Sequence, residues 1–195
     1  MILIPSLLVC EGKVVDPVDG HCLFADVFEA VRTLRDFGAE FFHLDAEPNE
    51  RKALVEGFAE RGLPLEVEAR GSSPEQALEL LASGADCAVF GAGDALESIP
   101  EEMRFRSVVV LDEVSMDRAS ALVDQGFTRL RIEGAPDMVE QDLESLVTIG
   151  AETSLGTEVR DKSGFAQLES LAEKGLASAI LHGATRRAQA HCTNS

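Results

Sequence analysis

Acidic side chains follow short apolar stretches at several points of this 195-residue sequence. Asp45, Glu68 and Asp112 each end or directly follow such a stretch. A carboxylate beside a substrate can accept or donate a proton in acid/base catalysis. Oxygen ligands with one imidazole also suit a divalent metal, for which His43, Asp45 and Glu68 are the candidates. The pattern predicts acid/base catalysis by Asp45, Glu68 and Asp112; no ligand spacing enforces the metal, and no other cofactor is predicted.

The elements that would position these residues follow from a sequence repeat. Each unit consists of an amphipathic helical segment, a glycine and a short apolar segment. Successive repeat glycines are 22 to 25 residues apart, except for one gap of 42 residues with a marker missing near Arg106. They are Gly38, Gly62, Gly84, Gly126, Gly150 and Gly175. Glycine suits the left-handed conformation in which many helices end, so the repeat predicts helix-to-strand joints.

Eight apolar segments have the length and composition of strands. They are Ile2–Leu8, Phe41–Leu44, Leu65–Glu68, Cys87–Phe90, Ser107–Leu111, Arg129–Ile132, Thr153–Leu155 and Ser178–Leu181. Eight strands alternating with eight helices predict an α/β fold, a single (β/α)8 (TIM) barrel domain over residues 1–195. Its loops must be minimal, because about 250 residues are typical. A doubly wound open sheet fits less well, because no glycine-rich dinucleotide fingerprint follows the first strand.

Alternation along the strands indicates which side chains point into the barrel. In Leu65–Glu68 the apolar residues should face the helices, so Glu66 and Glu68 point inward, as Arg129 and Arg131 do on a later strand. A lone buried charge is costly, so we expect Glu66 to pair with Arg129 or Arg131. The two histidines of the strands are expected to be wall residues with satisfied hydrogen bonds; they are His43 and His182.

The C-terminal strand ends form the mouth, where barrels of this class keep their active sites. The residues expected there, or in the adjoining loops, are Asp45, Glu68, Asp112, Glu133, Glu158, His182, Lys13, Arg70 and Arg160. Two unit charges about 5 Å apart interact by roughly 3 kcal/mol at an effective dielectric of about 20. A phosphate beside Glu68 would therefore be rejected unless Arg70 or a metal offset the charge.

Charge and cysteine usage narrow the partners and the compartment. There are 35 acidic and 17 basic residues, a formal net charge of -18, which disfavours nucleic acid and anionic membranes. The four cysteines form no CxxC pair, and a chain with a large hydrophobic core does not need disulfide bonds for its stability. No targeting segment or membrane span is visible. We expect a cytoplasmic protein that binds a small-molecule metabolite, with a homo-oligomer left open.

The segment Ile4-Pro5-Ser6-Leu7-Leu8-Val9-Cys10-Glu11-Gly12-Lys13-Val14-Val15 resembles the first strand and loop of ProFAR isomerase and of the cyclase subunit of imidazole glycerol phosphate synthase. The family pattern there is roughly I-P-A-I-D-L-x-D-G-K-V-V. Residues 26–45, Gly84–Gly91 and Ile180–Ala184 resemble later parts of the same barrel, in order. The resemblance implies a phosphate-binding (β/α)8 isomerase related to histidine biosynthesis.

The chain departs from this family at its chemistry. The family uses two aspartates, of which the first falls on Leu8 and the second matches Asp112. A leucine cannot transfer a proton, so the ordinary mechanism lacks one of its groups. The family's third-strand phosphate glycines correspond to Glu68-Ala69-Arg70. The glycines that match or adjoin the other phosphate positions, where backbone N–H groups could approach an anion, are Gly91, Gly93, Gly156 and Gly183, with Arg70 and Lys13 as cations nearby.

A weaker resemblance is to pentulose-phosphate 3-epimerase, through Ile4-Pro5-Ser6-Leu7-Leu8 and the pair His43-x-Asp45. In that family the H-x-D supplies metal and acid/base groups. The sequence as a whole predicts a divergent isomerase, epimerase or lyase acting on a small, phosphorylated, sugar-type metabolite. The alternative is a catalytically silent barrel that binds a metabolite or a protein partner.

Overall fold

Ten strands form the sheet of the computed structural model, which describes residues 1–134, 136, 139–159, 161–186 and 188. In chain order they are β1 (Ile2–Cys10), β2 (Lys13–Val15), β3 (Cys22–Phe24), β4 (Phe42–Ala46), β5 (Leu65–Glu68), β6 (Cys87–Gly91), β7 (Ser107–Leu111), β8 (Arg129–Glu133), β9 (Glu152–Thr157) and β10 (Leu176–Leu181). Strand β1 pairs in parallel with β4, and each strand from β4 to β10 pairs with the next. Strand β10 then pairs in parallel with β1, from Ile2 opposite Ser178 to Pro5 opposite Leu181. These pairings close the predicted barrel of eight parallel strands.

Six α-helices that lie wholly within the described residues cover the outside of the barrel. They are α1 (Val27–Asp36), α2 (Pro48–Glu60), α3 (Pro74–Ala82), α4 (Met116–Asp124), α5 (Glu140–Thr148) and α6 (Lys162–Glu173). Each ends two residues before a repeat glycine, and all six glycines have φ between 62° and 116°. The predicted helix-to-strand joints are confirmed there. At Gly84 the contact is also close, since a Cβ would lie within 3.0 Å of the Ala59 Cβ.

The connection between β6 and β7 is the exception to the repeat. The alternation predicts an α-helix here, but the structure has two 3-10 segments, Leu96–Ser98 and Glu101–Arg106. Pro100 stands between them; it has no N–H to donate, and it disfavours a helical conformation at the residue before it. Arg106 stands at the point in the sequence where the repeat lacks its glycine. Its guanidinium donates to carbonyl oxygens at and just beyond the end of α3, those of Leu81, Ala85 and Asp86.

Strands β2 and β3 extend the sheet beyond the barrel, at the C-terminal end of β1. Strand β2 is antiparallel to β1, and β3 is antiparallel to β2. The turn into β2 needs positive φ at both central residues, 52° at Glu11 and 73° at Gly12. After β2, the buried Asp16 forms an ion pair with Arg186, which follows β10. This ion pair joins the first and last loops of the mouth.

Side chains alternate between two apolar layers, as the predicted strand parity requires. Leu65 and Val67 belong to the main core between the barrel wall and the helices. Inside the barrel a separate apolar cluster lies on two neighbouring strands and consists of Cys87, Val89, Val108 and Val110. The interior also holds apolar side chains of β1 and β10, Ile4 and Ile180, and the ionic groups around Glu66. No helix in the described ranges is long and apolar enough to span a membrane.

Candidate active site

A buried ionic network surrounds Glu66 inside the barrel. Arg131 Nη2 donates to Glu66 Oε1 over 2.6 Å, and His43 Nδ1 lies 2.8 Å from the same oxygen. Glu66 is 4% exposed and Arg131 is 1% exposed. The predicted ion pair is confirmed, with Arg131 rather than Arg129 as the partner. Arg129 lies 3.4 Å from Glu152.

The charges in this network fix the protonation state of Glu66. Burial alone would raise the pKa of Glu66, but Arg131 and then His43 outweigh it and lower the pKa to about 2. Glu66 is therefore an ionised acceptor at neutral pH, so His43 Nδ1 carries the shared proton. The other ring nitrogen, Nε2, lies 4.0 Å from Glu68 Oε2. The network thereby holds the imidazole against the base of the mouth.

Glu68 and Arg70 form a second, tighter pair at the end of β5. Arg70 Nε donates to Glu68 Oε1 over 2.9 Å, and Nη2 donates to Oε2 over 2.8 Å. The Arg70 backbone N–H also donates to Oε1 over 2.9 Å. The Glu68 side chain is 7% exposed, whereas that of Arg70 is 44% exposed. A buried carboxylate therefore orients a guanidinium whose remaining edge reaches the open mouth.

Asp45 lies at the end of β4, beside this pair, and is partly buried. Burial, followed by the charge of Glu68, raises the pKa of Asp45 above its usual range; nearby cations oppose the shift only in part. Among the described residues no group forms a hydrogen bond to its carboxyl. A carboxyl group with a raised pKa, no internal partner and access to the mouth is suited to proton transfer.

Glu133 and His182 form a further pair at the mouth. His182 Nε2 lies 3.4 Å from Glu133 Oε2. The two residues end β8 and follow β10, so the Glu133 side chain must cross β9 to reach the imidazole. Gly156 makes this crossing possible, because a Cβ there would lie within 3.0 Å of both carboxylate oxygens. Burial raises the pKa of Glu133, but the hydrogen bond to His182, then the charges of His182, Arg131 and Arg70, lower it overall.

Of the glycines predicted to bind phosphate, Gly91 and Gly156 lie against carboxylates in the structure. The Gly91 backbone N–H donates to Asp94 Oδ2 over 2.7 Å, and Gly71 N–H donates to Asp94 Oδ1 over 3.4 Å. Gly156 lies under the Glu133 carboxylate. Gly93 is exposed, with open space where a Cβ would lie. At Gly183 a Cβ would meet the Glu158 carboxylate at 4.0 Å.

The remaining predicted residues lie at the rim. Asp112 directly follows β7 and is exposed; by the alternation of Val108 and Val110 it faces the barrel side. Lys13 begins β2 and is exposed. Arg160 lies outside the described residues. The structure thus brings Asp45, Glu68 and Arg70 together, while Asp112 and Lys13 stand apart from them at the surface.

The predicted metal ligands His43, Asp45 and Glu68 do not bring three ligand atoms within 4.8 Å of one another in this arrangement. His43 Nδ1 is used by Glu66, and both Glu68 oxygens are used by Arg70. In the described part of the chain, one group of three potential ligands has atoms within 4.8 Å of one another: Asp16, Asp19 and His21. Its atoms are also engaged, with Arg186 on Asp16 and His21 on Asp19.

Two residues that position the mouth escaped the sequence analysis. The Asp94 carboxylate holds the loop after β6. The sequence feature that could have revealed this residue is an acidic side chain three positions after Gly91 in a glycine-rich turn. Arg51 is buried on α2; its Nε and Nη2 donate to Ala46 O, and its Nη1 donates to Ser72 Oγ over 3.0 Å. It thereby ties the loop after β4 to the loop after β5. An arginine in the first turns of a helix carries no pattern that distinguishes this role.

No family model and no curated protein matches this chain. Solved structures do match. One is 2,3-dimethylmalate lyase, a member of the PEP mutase/isocitrate lyase superfamily, with a TM-score of 0.65 and 13% identity over all of this chain and 80% of that one. Another is a dipeptide epimerase from Methylococcus capsulatus in complex with a Mg ion, with a TM-score of 0.62 and 15% identity. That match covers 94% of this chain, which spans 56% of the epimerase. At such identities the likeness establishes the (β/α)8 fold alone.

Proposed function

We propose that this chain is an enzyme that isomerises, epimerises or cleaves a small metabolite by acid/base chemistry at the mouth of the barrel. Asp45 transfers the proton, and Asp112, exposed at the end of β7, is the second proton-transfer group. Glu68 holds Arg70, and Arg70 binds an anionic group of the substrate. The reacting carbon then lies beside Asp45, because the anchor and the acid belong to neighbouring strands.

One observation carries this proposal: Asp45 is a partly buried carboxyl with a raised pKa, next to an arginine oriented by a buried glutamate. A carboxyl with a purely structural role would have a cation or hydrogen-bond donor of its own, as Glu66 and Glu68 have. The cost of burying Asp45 without such a partner is therefore consistent with a functional role.

We further propose that the chain is a divergent relative of the ProFAR isomerase branch. The ordered motifs of the sequence support this. Leu8, at the position of the family's first aspartate, lies opposite Asp45 in the register of β1 and β4. The proton-transfer group would then have moved to the neighbouring strand. The phosphorylated sugar implied by the resemblance is one candidate substrate, with its phosphate on Arg70.

Proton transfer can be tested without a known product. Sugar phosphates, hydroxy acids and amino acids are incubated with the protein in D2O, and exchange of carbon-bound hydrogen is followed by proton NMR. We expect Asp45→Asn to slow the exchange about 10²- to 10⁴-fold, the usual contribution of a general acid or base. The melting temperature should change little, because no described group depends on this carboxylate for a hydrogen bond.

The matched control is Asp36→Asn, an exposed aspartate at the end of α1 and at the opposite end of the barrel. It should exchange at the wild-type rate. Exchange that persists in Asp45→Asn at the wild-type rate would show that Asp45 does not transfer the proton. Loss of exchange in Asp112→Asn as well would support Asp112 as the second proton-transfer group.

A second candidate function is a barrel without catalysis that assembles with a second copy of itself. The observation in its favour is an apolar patch at the N-terminal end of β1 and the C-terminal end of α1. Phe37 is 59% exposed there and shares a cavity wall with Leu3, and Met1, Ile2 and Leu3 at the start of β1 are also exposed. The patch borders a cavity of about 360 Å³ between the barrel wall, α1 and α6, lined in part by Leu34 and Phe165.

If copies of the chain pair through this patch, Phe37→Asp should convert a dimer into a monomer in sedimentation-velocity measurements, because it buries a charge in an apolar contact. Phe105→Asp is the matched control, since Phe105 is also 59% exposed but lies between β6 and β7. It should leave the dimer intact. A wild-type protein that sediments as a monomer would rule out this assembly.

A further inference from the structure

The mouth already supplies its own anions at positions predicted for phosphate. Asp94 accepts the Gly91 and Gly71 backbone N–H groups, and the Glu133 carboxylate lies over Gly156. A phosphate at either position would have to displace a carboxylate and then remain beside it. Two like charges a few ångströms apart repel by several kcal/mol at protein dielectric values. The geometry therefore disfavours a substrate that carries two phosphates.

Arg70 is the cation around which the mouth is arranged. Glu68, through hydrogen bonds, raises its pKa most, and the charges of Glu133 and Asp45 add to this effect. The guanidinium therefore interacts with three carboxylates, while two of its nitrogens are bound by Glu68 alone. Its remaining edge can bind one planar anionic group. A carboxylate matches a guanidinium in shape and adds a single negative charge.

Asp45 and Glu133 flank this anchor as acceptors for positive charge. Asp45 has no hydrogen-bond partner among the described residues, and the Glu133 carboxylate contacts the His182 imidazole at 3.4 Å. A substrate ammonium group placed between Arg70 and these carboxylates would offset their repulsion of the substrate's own anionic group. A hydroxyl group at the same place would not.

We propose that the mouth binds a 2-amino carboxylate, with its carboxylate on Arg70 and its ammonium group toward Asp45 and Glu133. This inference rests on the proposed function, because it names the substrate class of the same site. The ammonium group and the carboxylate of such a molecule are two bonds apart, and this short separation suits an aspartate at the end of β4 and an arginine two residues after the neighbouring β5.

The experiment compares matched pairs of ligands by proton–nitrogen correlation NMR titration of the whole chain. L-alanine, L-leucine and L-phenylalanine are each paired with the 2-hydroxy acid of the same skeleton, and ribose 5-phosphate and inorganic phosphate are added as separate probes. We expect at least one amino acid to bind about 10-fold or more tightly than its hydroxy partner, the effect of one charge-assisted hydrogen bond. Arg70→Gln should weaken that binding by about 10-fold or more. Arg32→Gln, an exposed arginine on α1, should not change it.

The outcomes separate this inference from the proposed function. Equal binding of amino and hydroxy acids, tighter binding of ribose 5-phosphate, or no amino acid binding would each overturn the substrate class. Exchange of a sugar phosphate that depends on Asp45 would leave the proposed function standing while it overturned the inference. Amino acid binding that depends on Arg70, without any hydrogen exchange that depends on Asp45, would support the inference and overturn the proposed function.

Discussion

Arg131→Met should lower the free energy of unfolding by about 3 to 5 kcal/mol, the usual cost of removing one partner from a buried ion pair. The substitution keeps much of the side-chain volume but leaves the Glu66 carboxylate in the barrel without its principal cation. His43 remains bonded to Glu66, but it cannot replace a guanidinium 2.6 Å away. Urea unfolding at neutral pH, followed by circular dichroism, measures the change.

The same strand provides the control. Arg129 lies two residues before Arg131 and forms a partly exposed pair with Glu152 at 3.4 Å. Because exposed pairs contribute about 0 to 1 kcal/mol, Arg129→Met should change stability by no more than that. A loss below about 1 kcal/mol for Arg131→Met would mean that the interior is more hydrated than the burial of Glu66 indicates.

The interior of the barrel was predictable because a strand alternates its side chains with a period of two. Once Leu65 and Val67 were assigned to the helix layer, Glu66 had to point inward. A buried charge needs a partner, and the chain offered few inward-pointing cations. The choice between Arg129 and Arg131 depended on the stagger of the strands around the closed barrel, which is a property of the whole sheet and not of either segment.

The arrangement of the mouth was less predictable because it depends on contacts between loops. Gly156 was assigned to phosphate by resemblance, yet it gives room to a glutamate from the preceding strand. Gly91 was assigned in the same way, and Asp94 accepts its N–H group. At both positions a carboxylate lies against the glycine. The Glu133 carboxylate comes from a distant part of the sequence and the Asp94 carboxylate from a turn, and neither contact can be located from the sequence alone. The α-helix expected between β6 and β7 is absent for a more local reason, since Pro100 separates two 3-10 segments there.

Acidification should remove about 3 kcal/mol of stability through Glu66 alone, as the pH falls from about 5 to about 2. Its pKa is about 2 in the folded protein, against 4.5 for the free group. A lowered pKa means that the unfolded chain binds the proton first, so the contribution is complete above about pH 5. It declines as the pH falls toward the folded-state value. The free energy of unfolding, measured by urea titration at each pH, gives the slope.

Variants assign that slope to the network. Glu66→Gln removes the titrating group, and Arg131→Met removes the cation that lowers its pKa, so both should flatten the acid limb while starting from a lower stability at neutral pH. Arg129→Met should retain the wild-type slope. If all three variants lose stability in parallel with the wild type as the pH falls, the acid sensitivity originates elsewhere among the 35 acidic residues, and the ion pair does not hold the Glu66 pKa low. If the acid limb flattens only in Glu66→Gln and Arg131→Met, the buried pair of Glu66 and Arg131 controls the acid sensitivity of the barrel wall. The same Glu66 charge keeps His43 in place beneath Glu68 and Arg70.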